Sequence, residues 1–159
     1  MPHTPAFLTG ATTLLAATLL AACRPQPAAY AFCSVPVDGW ERSHVLTFPI
    51  DTLGHAGTYR LDVCLRTSTA RPYPFRTLWL EVRSRLDEGG HVQTDTLACN
   101  LVNAKGDPDG RGVSLLQYDF ALDTLSLPAG TAGIITVRHI MSRDILQGIS
   151  DVGLRLTPV

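Results

Sequence analysis

With 159 residues, 45% of them hydrophobic, and a formal net charge of −1, the chain is sized for one ordinary domain. That balance excludes the basic surface that nucleic acid or an acidic membrane face would require. The four cysteines show no CxxC or Cys/His spacing, so no metal site and no cofactor is indicated.

The chain opens on an uncharged, apolar run over residues 7–22 that closes on Leu20-Ala21-Ala22-Cys23. This is the pattern of a lipobox. The run is long enough for a signal-peptide core and short for a membrane span, and small side chains before Cys23 admit a peptidase. Acylated Cys23 becomes the first residue of the mature protein, each buried CH₂ of its lipid contributing ~0.8 kcal/mol to anchoring. Met1-Pro2-His3-Thr4-Pro5 lacks the usual Lys or Arg, and a plain secretory signal with an incidental Cys23 is the alternative. Removal of residues 1–22 leaves 137, enough chain for a packed core. Among them Cys33, Cys64 and Cys99 allow one bridge and a free thiol, or no bridge.

Residues 24–31, with Pro25, Pro27 and three alanines, read as an extended tether, and the lipidated linker as a whole is placed at 23–38. Strands follow. Residues 44–51 put Leu46, Phe48 and Ile50 on one side. Residues 58–67 turn Tyr59, Leu61, Val63 and Leu65 inward and Arg60, Asp62, Cys64 and Arg66 the other way. Residues 78–86 oppose Leu78, Leu80 and Val82 to Trp79, Glu81, Arg83 and Arg85. The turn Asp87-Glu88-Gly89-Gly90 joins this strand to one over 91–101, where Cys99 shares an inward face with Leu97 and Leu101. Further strands fit 115–122, 134–140 and 152–157, and only 142–149 holds the spacing of a helical turn, through Ile145, Leu146 and Ile149. Period two with Gly and Pro between the runs predicts an all-β domain over 39–159, a single antiparallel β-sandwich of the jelly-roll or immunoglobulin-like kind.

Catalytic signals are weak. Gly148-Ile149-Ser150-Asp151-Val152 starts like a nucleophile elbow, but Val152 replaces the closing Gly and no strand-then-long-helix context surrounds it. The histidines at 44, 55, 91 and 139 form no HxH or HExxH, and His139 reads as a structural or surface residue. The segment 103–110 offers Asp and Asn oxygens, yet Lys105 stands where an EF-hand ligand belongs, so turn chemistry is the better reading. No nucleophile, metal set or acid pair emerges, and the chain does not read as an enzyme. Trp40, Tyr73, Trp79 and Tyr118 could instead form a sugar-stacking platform, with Trp79 and Tyr73 the candidate ligand-binding residues.

Several segments together resemble the gliding-motility lipoprotein family GldH. They are Gly39-Trp40, Phe48 with Asp51, Leu65-Arg66, Tyr73-Pro74-Phe75 and Asp95-Thr96-Leu97, and then His139-Ile140-Met141-Ser142-Arg143 and Leu146-Gln147-Gly148-Ile149-Ser150-Asp151-Val152-Gly153-Leu154. Thr77 and the Trp-free 106–112 loop depart from the family pattern. The resemblance implies a non-enzymatic envelope lipoprotein, held to the membrane through lipid on Cys23, that scaffolds a gliding and protein-secretion complex through contacts with other envelope proteins. Arg24-Pro25-Gln26 lacks the acidic run of a surface-export tag, so the domain is expected to face the periplasm. The alternative is a carbohydrate-binding sandwich lipoprotein.

Overall fold

The computed structural model describes residues 25–86 and 92–159. Cys23, the lipobox and the Asp87-Glu88-Gly89-Gly90 turn lie outside the described residues. Ten strands run in chain order: β1 (Ala29–Ser34), β2 (Trp40–Glu41), β3 (Leu46–Ile50), β4 (Gly57–Ser68), β5 (Thr77–Arg85), β6 (Gln93–Asn100), β7 (Leu115–Leu127), β8 (Gly133–His139), β9 (Ile145–Leu146) and β10 (Ile149–Pro158). Two four-stranded sheets form, in the orders β1-β10-β4-β7 and β3-β8-β5-β6, and β2 pairs with β9 separately. All pairings are antiparallel. With the two short strands set aside, the eight long ones cross between the sheets in the order of a jelly roll, which decides between the two sandwiches expected.

The alternation read in the sequence is what packs the sheets. Leu46, Phe48 and Ile50 of β3, Tyr59, Leu61, Val63 and Leu65 of β4, and Leu78, Leu80 and Val82 of β5 are all buried. They meet Ile135 and Val137 of β8 and Val152, Leu154 and Leu156 of β10 in one core, with Cys99 and Leu101. Burying one Leu-sized side chain contributes ~2 kcal/mol, so this inner layer is the main stabilising term.

Two expectations are corrected. Residues 29–34 belong to β1, whose register with β10 runs from Ala29 opposite Leu156 to Ser34 opposite Asp151, so they are sheet and not tether. The 142–149 stretch contains β9 and bends, with no helical turn, because Ile145 and Leu146 pair with Glu41 and Trp40.

The outer face of the β1-β10-β4-β7 sheet is partly covered around Asp62 and Cys64. Asp62 is only 3% exposed although it points away from the core. Its carboxylate accepts from Arg155 at 3.0 Å and from Arg60 at 3.1 Å, so a buried charge has two partners. Gly153 leaves room that the Phe32 ring fills, and the Arg66 guanidinium stacks 3.8 Å from that ring's centre. Cys64 lies in the same row and is fully buried, its pKa pushed up to about 12 chiefly by burial. Cys33, Cys64 and Cys99 are all unbridged.

Candidate functional site

The segments quoted above for the GldH resemblance are far apart in sequence, and four of them converge at one end of the sandwich. At Gly39, with φ +121°, a side chain would collide with Ile145 and the Leu146 carbonyl, so only glycine admits the β2–β9 pairing. Trp40 follows, fully buried, and its indole N–H donates to the His44 carbonyl at 2.8 Å. The ring of His139, the last residue of β8, meets the Trp40 ring edge to face at 5.3 Å.

His139 is fully buried, and its Nε2 lies 3.1 Å from the Trp40 carbonyl oxygen. A carbonyl only accepts, so Nε2 carries the proton and Nδ1 of the neutral ring is left as an acceptor. That Nδ1 has no partner among the described residues. Burial lowers the His139 pKa below its ordinary 6.5 and outweighs the Trp40 bond, which raises it; Arg42 lowers it further and Asp144 opposes. A group depressed in the fold contributes stability that is present above pH 6.5 and lost as the pH falls toward the folded value. Unfolding measured across pH 7.5 to 5 should therefore show a loss of at most about 1.4 kcal/mol per pH unit from this residue. His139→Gln should flatten that part of the profile; an unchanged slope would assign it to other groups.

Arg42 staples the loop that follows β8. Its backbone N–H donates to the Asp144 carbonyl at 2.7 Å and its guanidinium to the Met141 carbonyl at 2.8 Å. The Ile140 N–H donates to the Trp79 carbonyl at 3.0 Å, and the Trp79 N–H points at the Met141 sulfur at 3.4 Å. At Gly148, φ is +89° and a Cβ would fall 2.5 Å from the Tyr73 nitrogen, so the 72–73 backbone passes directly over it. Tyr73 packs edge to face on Phe75 at 5.5 Å and donates its hydroxyl to the Thr77 carbonyl at 3.2 Å. Burial raises its phenol pKa. The Arg143 guanidinium sits 6.0 Å from the Phe75 ring centre, the outer limit of a cation–π contact. Sequence reasoning marked Arg143 only as part of a family segment and did not single out Arg42, whose partner 99 residues away carries no local signal.

The rings proposed as a platform are separated. Trp40 and Tyr118 are in the core, Tyr73 is half-buried against Phe75, and Trp79 stands 45% exposed on the outer face of β5. None of the ring pairs among the described residues includes Trp79. Ser150 sits at the irregularity in the β4–β10 register, and its carbonyl accepts from Val35 N–H at 2.9 Å. In the 103–110 loop, the Asn103 side-chain oxygen accepts from the Lys105 and Asp107 N–H groups at 2.9 and 3.0 Å, an Asx turn.

The family model described as GldH lipoprotein matches residues 29–156, from the first residue of β1 nearly to the end of β10. No curated protein matches the chain. Among solved structures, an Eiger TNF from S. frugiperda is similar at 15% identity and TM-score 0.34, over 82% of this chain and 92% of that one. An infectious bursal disease virus structure, Gx strain, is similar at 9% identity and TM-score 0.17, over 86% and 43%.

Proposed function

Since this chain belongs to the GldH lipoprotein family, we propose that it is a non-enzymatic envelope scaffold, acylated at Cys23 and facing the periplasm. In this reading it assembles gliding-motility and associated secretion components through protein contacts. One observation supports a scaffold: the polar groups at this end of the sandwich are spent on the chain's own backbone. Trp40 N–H, Arg42, the His139 Nε2 and the Tyr73 hydroxyl all bond to backbone carbonyls of their own chain. Such bonds hold a surface in one shape, as a protein-contact surface requires.

The sugar-binding reading now depends on Trp79 without a ring partner, since Tyr73 is engaged with Phe75. Crosslinking in cells separates the two readings. Reproducible recovery of motility or secretion proteins supports the scaffold. Recovery of glycan without a protein partner, together with loss of glycan binding in Trp79→Ala, replaces it. Fatty-acid labelling tests the anchor independently: Cys23→Ser should abolish the label, and label that persists assigns acylation elsewhere or to nothing at this position.

A further inference from the structure

The outer faces of the two sheets differ in what covers them. On the β1-β10-β4-β7 sheet, Asp62 and Cys64 are buried and the Arg66 guanidinium lies on the Phe32 ring. On the β3-β8-β5-β6 sheet, large apolar side chains stand in solvent, with Trp79 45% exposed and Ile140 39%. These two share a row. The Ile140 N–H donates to the Trp79 carbonyl at 3.0 Å, and Ala98, also exposed, stands opposite Trp79 on β6. Trp79 is the third residue of β5 and Ala98 the third from the end of β6, so the row lies at the end of both strands away from their 87–91 connection.

A cleft of about 490 Å³ adjoins this row, lined by Arg42, Arg138, His139, Ile140, Met141 and Ser142. Two of these side chains are cations and none is an acid. Both arginines reach solvent, their side chains 45% and 39% exposed. Glu81 accepts from Arg138 at 2.9 Å and from Arg83 at 2.8 Å, so one carboxylate serves two cations and leaves one positive charge over. Asp144 lies 3.8 Å from Arg42 but lines the neighbouring cleft with Glu41, and its side chain is 90% exposed. A long contact between exposed charges is readily exchanged for another carboxylate.

We propose that this patch, on the scaffold reading on which the inference rests, is where a partner protein docks. An apolar side chain of the partner packs on Trp79 and Ile140, and an Asp or Glu beside it enters the cleft between Arg42 and Arg138. Trp and Arg are among the residues that carry most binding energy at protein interfaces. A guanidinium also suits a carboxylate, offering it two parallel N–H groups. A sugar stacked on Trp79 would need free polar groups at the rim of the ring. Glu81 is taken up by its two arginines, and Asn100 Oδ1 by the Thr77 hydroxyl at 2.8 Å. The partner's contact surface is therefore acidic around an apolar centre.

The test uses the full-length protein in its own cells, with p-benzoylphenylalanine at Thr96 on this face or at Thr124 on the outer face of the other sheet. Both are exposed positions. Irradiation should join the reporter at 96 to a second protein about five-fold more than the reporter at 124. Trp79→Ala and Arg138→Glu, at two exposed sites, should each cut that adduct about five-fold or more. Changing the partner's acid nearest the mapped crosslink to Arg should restore capture by Arg138→Glu, which separates a lost contact from a lost fold. The proposal is overturned if the adduct persists in either variant, if no acid reversal restores it, or if capture at the two positions is equal. A glycan, or a second copy of this chain, found in place of the partner also overturns it. Motility or secretion proteins captured at 124 and not at 96 overturn this surface and leave the scaffold standing. Capture of no protein at either position, with none recovered by crosslinking in cells, overturns both.

Discussion

Trp40→Ala should destabilise the domain by about 3–5 kcal/mol, the range for deleting a large buried aromatic. The indole is fully buried, so its removal leaves a cavity between β2, β9 and the end of β8. The His139 ring loses its edge-to-face partner at the same time, and the His44 carbonyl loses its donor. Trp40→Phe, which keeps an apolar ring, should recover at least half of the loss. Thermal and urea unfolding of the mature domain measure both. A Trp40→Ala protein within 1 kcal/mol of the parent would show that the signature-bearing end contributes little to folding.

Val63→Asp should be at least as damaging, on the order of 4 kcal/mol, enough to unfold a domain of ordinary stability. Val63 is fully buried at the centre of β4, between Leu154 of β10 and Phe120 of β7. The inner face around it is apolar, and among the described residues no cation of the kind that serves Asp62 on the other side is in the core cluster. Arg66→Ala, three residues on, removes a stacking contact with Phe32 at the surface and should cost about 1 kcal/mol or less. Soluble expression and circular dichroism separate the two. Equal loss in both variants would mean that the outer layer is as important as the core.

The contrast between these two positions shows what period-two reading captures. Inward residues of β3 and β5 were legible because one face of each is buried, and alternation follows from the pleat; those of β4 were legible because its outward row, Arg60, Asp62, Cys64 and Arg66, is mostly polar although Asp62 and Cys64 are buried too. β1 was not legible. As an edge strand it places Tyr30 and Phe32 on the outer face and Ala31 and Cys33 on the inner one, so its large side chains advertise the wrong side. The prolines at 25 and 27 then made the segment look like linker throughout. β9 was misread for another reason: Ile145, Leu146 and Ile149 fit a helical spacing, and only pairing with residues about a hundred positions away makes them extended.

The site divided in the same way. Local sequence marked Trp40, Tyr73 and the 139–154 run as a set through family resemblance, but not their contacts. The Trp40–His139 bond spans 99 residues and the Asp62–Arg155 pair 93, and both depend on strand register that no local window contains. Trp79 and Tyr73 were grouped by residue type. The chain turn at Tyr73-Pro74-Phe75 sends Tyr73 onto Phe75 and leaves Trp79 on the sheet face.

The attachment of β1 to β10 has a mechanical consequence. With the acylation proposed at Cys23, a pull on that anchor would enter the fold at Ala28, whose N–H bonds the Leu156 carbonyl, and act along β1, while a load at the end that carries Trp40 and His139 would act in the opposite direction. Ladder hydrogen bonds lie perpendicular to the strands, so the six β1–β10 residue pairs take such a force in shear, together rather than one after another. A protein tied down in this way resists being drawn out by its anchor far better than one whose first strand could be peeled from its end.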